Sequence, residues 1–372
     1  MKKNYLLLFL LIHFIMVAKA QKFREIETKT QALTKYAGYF NFYWDEKTGH
    51  ILLEVDKFDT EFLYVNSLPA GVGSNDLGLD RGQIGNSRIV KFIKSGPKIL
   101  LVQPNYAYRA MSDNADERKS VEEAFAQSVI WGFKQEAEDD GKVLIDFTPF
   151  LLRDSHSIAD KLAAGQQGSF ALDESRSAVF LPNTKGFPDN SEFEAIITLT
   201  GKAKGSEIAS VTPDPNSVTV RMHQSFIKLP DNNYKPRRFD PRSGFYDNSF
   251  MDFATPIEQP IVKHLLTRHR LEKKDPSAPM SEPVKPIIYY VDRGAPEPVR
   301  TALIEGASWW NQAFEEAGYK NAFQVKLLPE TADPMDIRYN IIQWVHRSTR
   351  GWSYGESIVD PRTGEIIKGQ VS

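Results

Sequence analysis

Cysteine is absent from the 372 residues, so the chain can form no disulfide and has no sulfur to carry a lipid anchor. Long apolar runs are nearly absent too. The one present, Tyr5 to Val17, is about 13 residues, short of the roughly 20 that a membrane-spanning helix needs. A basic excess is also lacking: 46 lysines and arginines face 48 aspartates and glutamates, which argues against nucleic acid as a partner. What remains is ordinary globular material, 41% hydrophobic and 25% charged, expected to hold itself together by its core alone.

The start of the chain reads as an export signal. Lys2 and Lys3 give a positive beginning, the apolar run follows, and Ala18-Lys19-Ala20 places small residues where a signal peptidase cuts, before Gln21. Residues 1–20 are therefore expected to be removed, leaving a soluble periplasmic or extracellular protein with no retained membrane span. About 350 residues exceed what one core usually organises, so two or three domains are expected.

Most of the chain after the signal reads as strand. Tyr39 to Trp44 and His50 to Val55 flank Asp45-Glu46-Lys47-Thr48-Gly49, a polar turn closed by glycine, and make a hairpin. Arg88 to Ile93 and Lys98 to Gln103 are further strands, and a second hairpin joins Ser128 to Lys134 with Val143 to Thr148 through Asp140-Gly141. Glu194 to Thr200 and Ser217 to Phe226 continue the pattern. Helix is scarce, His156 to Ala164 being the best short candidate and Val121 to Ala126 an ambiguous one. The stretch Gly71 to Asn86, rich in Gly, Asp and Asn, has the composition of a long mobile loop. Asp240-Pro241-Arg242-Ser243-Gly244 and Asp360-Pro361-Arg362-Thr363-Gly364 are near copies, and turn chemistry accounts for both: Asp caps, Pro fixes φ, Gly closes. Calcium-loop spacing is missing from them.

Residues 271–286, with basic side chains and then Pro276, Pro279, Pro283 and Pro286, read as an extended linker. Beyond it, Ile287 to Val291 is an apolar strand. A helix follows from near Pro296, with Val299, Leu303, Gly306, Trp310, Phe314 and Ala317 on one face, Gly306 allowing close approach and Gly318 supplying the stop. Phe323 to Leu328 and Ile337 to His346 are strands, and a hairpin ends at Ser372. The fold class expected is α+β. Residues 21–70 form a small β region, 71–270 a β-rich domain, and 287–372 an α/β subdomain.

The run Tyr289-Tyr290-Val291-Asp292, the helix segment Glu305-Gly306-Ala307-Ser308-Trp309-Trp310, Asp333-Pro334-Met335-Asp336-Ile337-Arg338-Tyr339-Asn340 and Trp344 through Gly355 together resemble exported bacterial zinc-dependent metalloproteases of metzincin-like type. Upstream, Trp131-Gly132-Phe133, Phe150 to Asp154, Phe239 to Gly244 and Arg268 to Pro276 resemble the uncharacterised domain that precedes the protease domain in that family. The resemblance implies an incomplete metzincin-like subdomain over 287–372, the front portion of an enzyme that hydrolyses peptide bonds in peptide or protein substrates. In the complete family member a helix carrying H-E-x-x-H holds zinc. That motif does not occur in these 372 residues, so this chain is expected to bind no catalytic zinc and to be inactive as it stands.

The remaining histidines do not replace it. His264 and His269, five apart, would point to different faces of a helix. No catalytic or metal-binding residue is therefore assigned. In metzincin-like proteases an edge strand pairs its backbone with an extended peptide, which makes Gly351, Trp352, Ser353, Tyr354 and Gly355, within the loop from Arg347, the candidate cleft edge. The competing class is a noncatalytic exported β-rich module that binds protein or glycan.

Overall fold

The computed structural model describes residues 25–349 and 351–372, so the export signal expected over residues 1–20 lies outside it, as does Arg350 of the candidate loop. In chain order the strands are β1 (Thr34–Tyr36), β2 (Phe42–Asp45), β3 (His50–Val55), β4 (Phe62–Ala70), β5 (Gln83–Ile84), β6 (Arg88–Ser95), β7 (Lys98–Gln103), β8 (Tyr108–Arg109), β9 (Ser128–Asp139), β10 (Lys142–Asp146) and β11 (Gly168–Leu172). They continue as β12 (Ala178–Val179), β13 (Lys185–Gly186), β14 (Asn190–Ala203), β15 (Ser217–Ile227), β16 (Asp247–Asp252), β17 (Val262–Leu266), β18 (Ile287–Val291), β19 (Phe323–Leu327), β20 (Asn340–Ile342), β21 (Gly355–Val359) and β22 (Ile366–Val371). The protein is α+β and β-rich, its helices few and short.

One large antiparallel sheet runs β1-β2-β3-β10-β9-β7-β6-β4-β15-β14-β11. Both expected hairpins are there. Gly49 takes φ +74° at the β2–β3 turn, and Asp140 and Gly141 take +47° and +80° between β9 and β10, the left-handed pair that suits a tight hairpin. Residues 21–70, expected as a small β region, join the large sheet, since β3 pairs with β10 and β4 with both β6 and β15.

The sheet curls until its ends nearly meet. Phe40 N–H donates to Ser191 Oγ at 2.9 Å, and Ser191 Oγ–H donates back to Phe40 O at 2.8 Å. At this seam a Cβ on Gly186 would collide with the carbonyl of Ala37, so only glycine admits the approach. The enclosed space is filled by aromatic rings. Phe226 sits with its centroid 5.0 Å from Phe62, 5.3 Å from Phe147 and 6.0 Å from both Phe40 and Phe193, all fully buried. Each ring of this size contributes about 1.5 to 3 kcal/mol by burial.

β14 and β15 are long enough to serve two cores. Phe193 and Phe226 face the ring cluster, while Ala195, Ile197, Leu199, Val218, Val220 and Met222 face a second cluster with Ile158 and Leu162 of the helix Ile158–Ala164 and Ile208 of the helix Ser206–Val211. Asp154 anchors the first of these helices, its carboxylate accepting from Ile158 N and Ala159 N at 2.9 Å each.

The terminal residues form a second sheet in the order β19-β18-β20-β22-β21. The pairs β18–β19, β18–β20 and β20–β22 are parallel, and β21–β22 is antiparallel. Helices Val299–Ser308 and Trp310–Glu316 make the crossover from β18 to β19 that parallel pairing demands. Several expectations are corrected here. The helix begins at Val299, after Pro296 and Pro298, and Glu297 caps it by accepting from Thr301 N and Oγ1 at 3.3 and 2.8 Å. A Cβ on Gly306 would meet open space, so that glycine serves no close approach. The strand expected over Ile337 to His346 is only Asn340–Ile342. Asp336 instead caps a turn through Arg338 N, and Ile337 is drawn into the interface with the large sheet.

That interface uses the outer face of the large sheet. Leu63 and Val65 of β4, Ile89 of β6 and Ile227 of β15 pack against Ile337 and Ile358 of the terminal unit. The expected linker 271–286 doubles back on itself, with Lys274 N donating to Glu282 O and Val284 N to Glu272 O, and Ser281 N then bonds Gly318 O.

Candidate functional site

The loop Gly71 to Asn86 is a strap hydrogen-bonded along its length to the terminal unit. Its anchor is Asp80, fully buried, whose Oδ2 accepts from Arg347 Nε at 2.5 Å and from the Tyr354 hydroxyl at 3.1 Å, while Oδ1 accepts from Gln83 Nε2 at 2.8 Å. The Arg347 guanidinium lies 5.2 Å from the centroid of the Tyr354 ring and donates to Trp352 O at 3.1 Å. Burial first, and then the charge of Asp80, push the Tyr354 hydroxyl up to about 12, so it stays a donor. Either side of this anchor, Ser348 N and Oγ donate to Gly73 O at 2.8 and 3.0 Å, and Thr349 Oγ1 donates to Asn75 Oδ1. Ile84 N donates to Glu356 Oε2 at 2.7 Å, and Gln370 Nε2 to Gly82 O at 2.8 Å.

The candidate residues fall along this contact. Gly351 faces the Asn75 amide, which a Cβ would strike. Trp352, at 65% exposure, and Ser353 stand in solvent, Tyr354 turns inward to Asp80, and Gly355 opens β21. β21 is the edge of its sheet. Tyr354 and Ser372 exchange both backbone bonds at 2.9 Å, so alternation turns the backbone groups of Gly355, Ser357 and Val359 to the open side. The segment Gly351 to Gly355 shares only Gly355 with this edge strand, and sequence reading missed Asp80 and the strap. An isolated Asp in a Gly-rich loop carries no local sign of a partner 267 residues away.

A family described as a domain of unknown function (DUF5117) matches residues 82–274, more than half of the chain. The chain belongs to the DUF5117 family. Neither a curated protein nor a solved structure matches it. The DUF5117 stretch begins inside the strap at Gly82 and ends at Lys274, so it takes in β5 to β17 and leaves the terminal sheet outside.

Where the DUF5117 sheet meets the terminal unit lies a second polar cluster. His223 is buried between two carboxylates, Nδ1 3.1 Å from Glu194 Oε2 and Nε2 bonded to Glu192 Oε2, with the Ser225 hydroxyl donating to Glu192 at 2.6 Å. Burial alone would lower the proton affinity of His223, but the bonds and charges of Glu192 and Glu194 outweigh it and raise it to about 9. From the terminal sheet Lys368 reaches the same interface and donates to Asp336 O at 3.4 Å. Burial lowers its ammonium to about 8 against the pull of Glu192 and Asp336.

The nearby histidines are already engaged by other groups. Both ring nitrogens of His223 are taken by carboxylates, His156 faces Asn66, and His269 faces the Tyr289 hydroxyl at 3.1 Å. Among the described residues no group of three His, Asp or Glu side chains is placed to hold a metal ion.

Proposed function

We propose that residues 287–372 are the front portion of an exported zinc-dependent metallopeptidase domain, and that the DUF5117 region is its companion. The observation that carries this reading is β21: an antiparallel edge strand with its outer backbone row open, next to the segment Gly351 to Gly355. Such an edge takes an extended peptide by backbone pairing, with exposed Trp352 beside it to shape a side-chain pocket. The strap lies along the same contact and holds its first residues in place. The metal ligands would come from an H-E-x-x-H helix that these 372 residues do not contain, so no catalytic step is assigned within them.

The test compares the product of the whole reading frame encoding this chain with residues 21–372 alone. Chelator-sensitive cleavage of unfolded casein by the first, and none by the second in added zinc, is the expected result. A complete product without bound zinc, or chelator-sensitive cleavage by residues 21–372, overturns it. A noncatalytic binding module is the competing reading, and the cationic cavity described next is the observation that favours it.

A further inference from the structure

One end of the large sheet brings two arginines to a single tyrosine. Arg88 of β6 and Tyr64 of β4 are register partners, and the Arg88 guanidinium lies 5.6 Å from the Tyr64 ring centroid. Arg153 donates to the Tyr64 hydroxyl at 2.8 Å and stacks on Phe150 at 4.1 Å. Among the described residues neither arginine forms an ion pair. Arg153 is held below its ordinary range by burial and by the like charge of Arg88.

Arg88 also lines a cavity of about 330 Å³ where the ends of β6, β7 and β9 approach β16. Arg109 is the other charged group in its wall, its guanidinium 3.9 Å from the Phe250 ring centroid and held by the carbonyls of Pro361 and Arg362. The lining itself holds no carboxylate, although Glu61 accepts from the Tyr106 hydroxyl at 2.7 Å behind it and Asp360 and Asp252 offset the charge of Arg109; Ser87, Asn105, Ser128 and Asn248 supply hydroxyls and amides. The larger cavity, about 530 Å³ beside β2 and β10, is different, because its Lys142 is already paired with Glu54 at 2.9 Å. Two part-buried guanidiniums that repel each other are costly unless an anion arrives, and a guanidinium fork matches an oxyanion in geometry as well as in charge.

We propose that this cavity is a binding site for a small ligand bearing a carboxylate, phosphate or sulfate group. Arg88 grips the oxyanion, Arg153 adds its field through Tyr64, and the amides and hydroxyls of the wall hold a polar body. A cavity of this size suits a ligand of about one sugar ring. The site lies away from β21 and does not rest on the peptidase reading.

The test is titration calorimetry on residues 21–372 with sodium phosphate, sodium sulfate and sodium glucuronate, at ionic strength fixed with chloride. Saturable binding of at least one is expected. Arg88→Gln should weaken it about tenfold or more, and so should Ser249→Asp, which puts a negative charge at an exposed wall position without touching the core. Lys98→Gln, exposed at the far end of β7, should leave it unchanged. Preference for glucuronate over the inorganic ions would identify a sugar acid, and the reverse order a simple phosphate or sulfate group. No saturable binding of any probe overturns the proposal, as does affinity unchanged from the parent in both cavity variants.

Discussion

Replacing Asp80 by asparagine removes one negative charge from the strap while keeping its shape. In the parent, that carboxylate is fully buried, and the Arg347 side chain it faces is only 10% exposed. Arg347 Nη2 is already buried without a partner, so nothing stands ready to neutralise the guanidinium once Asp80 is gone. Breaking a buried pair from one side costs about 3 to 5 kcal/mol, against a total domain stability of about 5 to 15. Because the pair ties the strap to the terminal sheet, the loss should appear first as local opening. A cost of about 3 kcal/mol corresponds to about 100-fold faster amide exchange in residues 354–359 and 368–372. The assay is hydrogen exchange read by mass spectrometry, with urea unfolding alongside. Arg347→Met added to Asp80→Asn should recover about 2 kcal/mol, since the stranded charge goes with it. A single Asp80→Asn variant within about 1 kcal/mol of the parent, with unchanged protection, would refute the argument.

His223 gives a pH prediction: its native proton affinity, about 9, lies above the ordinary 6.5, so its contribution is complete below pH 6.5 and fades as pH rises toward 9. Lys368, lowered to about 8, works the other way above that value, so urea midpoints should fall between pH 6.5 and 8, and His223→Gln should flatten the slope; a parallel decline in the variant would sink the assignment. His156 and His269, both lowered to about 4 by burial first and nearby lysines second, contribute stability above pH 6.5 that is lost as pH falls toward 4, and His156→Gln should reduce that acid-side loss. Amides of Val299–Ser308 and Trp310–Glu316, helices with no buried side chain, should exchange faster than those of β7 and β15, and equal slow exchange would show the terminal unit to be as tightly held as the large sheet.

Local chemistry was legible in the sequence. The turns at Gly49 and Asp140-Gly141 and the helix stop at Gly318, φ +83°, follow from residues a few positions apart. So do the twin turns, in which Asp240 and Asp360 each accept from the backbone N–H two residues on, at 3.0 and 2.9 Å, and pair with that same arginine. Ser217 to Phe226 was likewise legible as a strand, and its alternation sets Val218, Val220 and Met222 on one face. Alternation could not say what that face meets, because a period of two gives the side of the sheet and not the partner. The ring closure through Phe40 and Ser191 spans 151 residues, and the Asp80–Arg347 pair 267. The Glu192, Glu194, His223 and Ser225 cluster was present as two polar alternations, but its meaning depends on the pairing of Glu192 with Ser225 and Glu194 with His223. Gly306 was read for close approach because its spacing matched the apolar face, and spacing alone cannot show whether another element comes near.

The strap also sets an order of events. Every strand of the large sheet lies between Thr34 and Ile227, so a chain threaded out N-terminus first can close that sheet before the terminal strands have emerged. Asp80 is then in place, without its arginine, for the time it takes to deliver the next 267 residues. The β-rich body thus acts as a waiting template: Leu63, Val65, Ile89 and Ile227 present a preformed apolar seat, and the last ninety or so residues assemble against a surface that is already rigid rather than finding one another unaided.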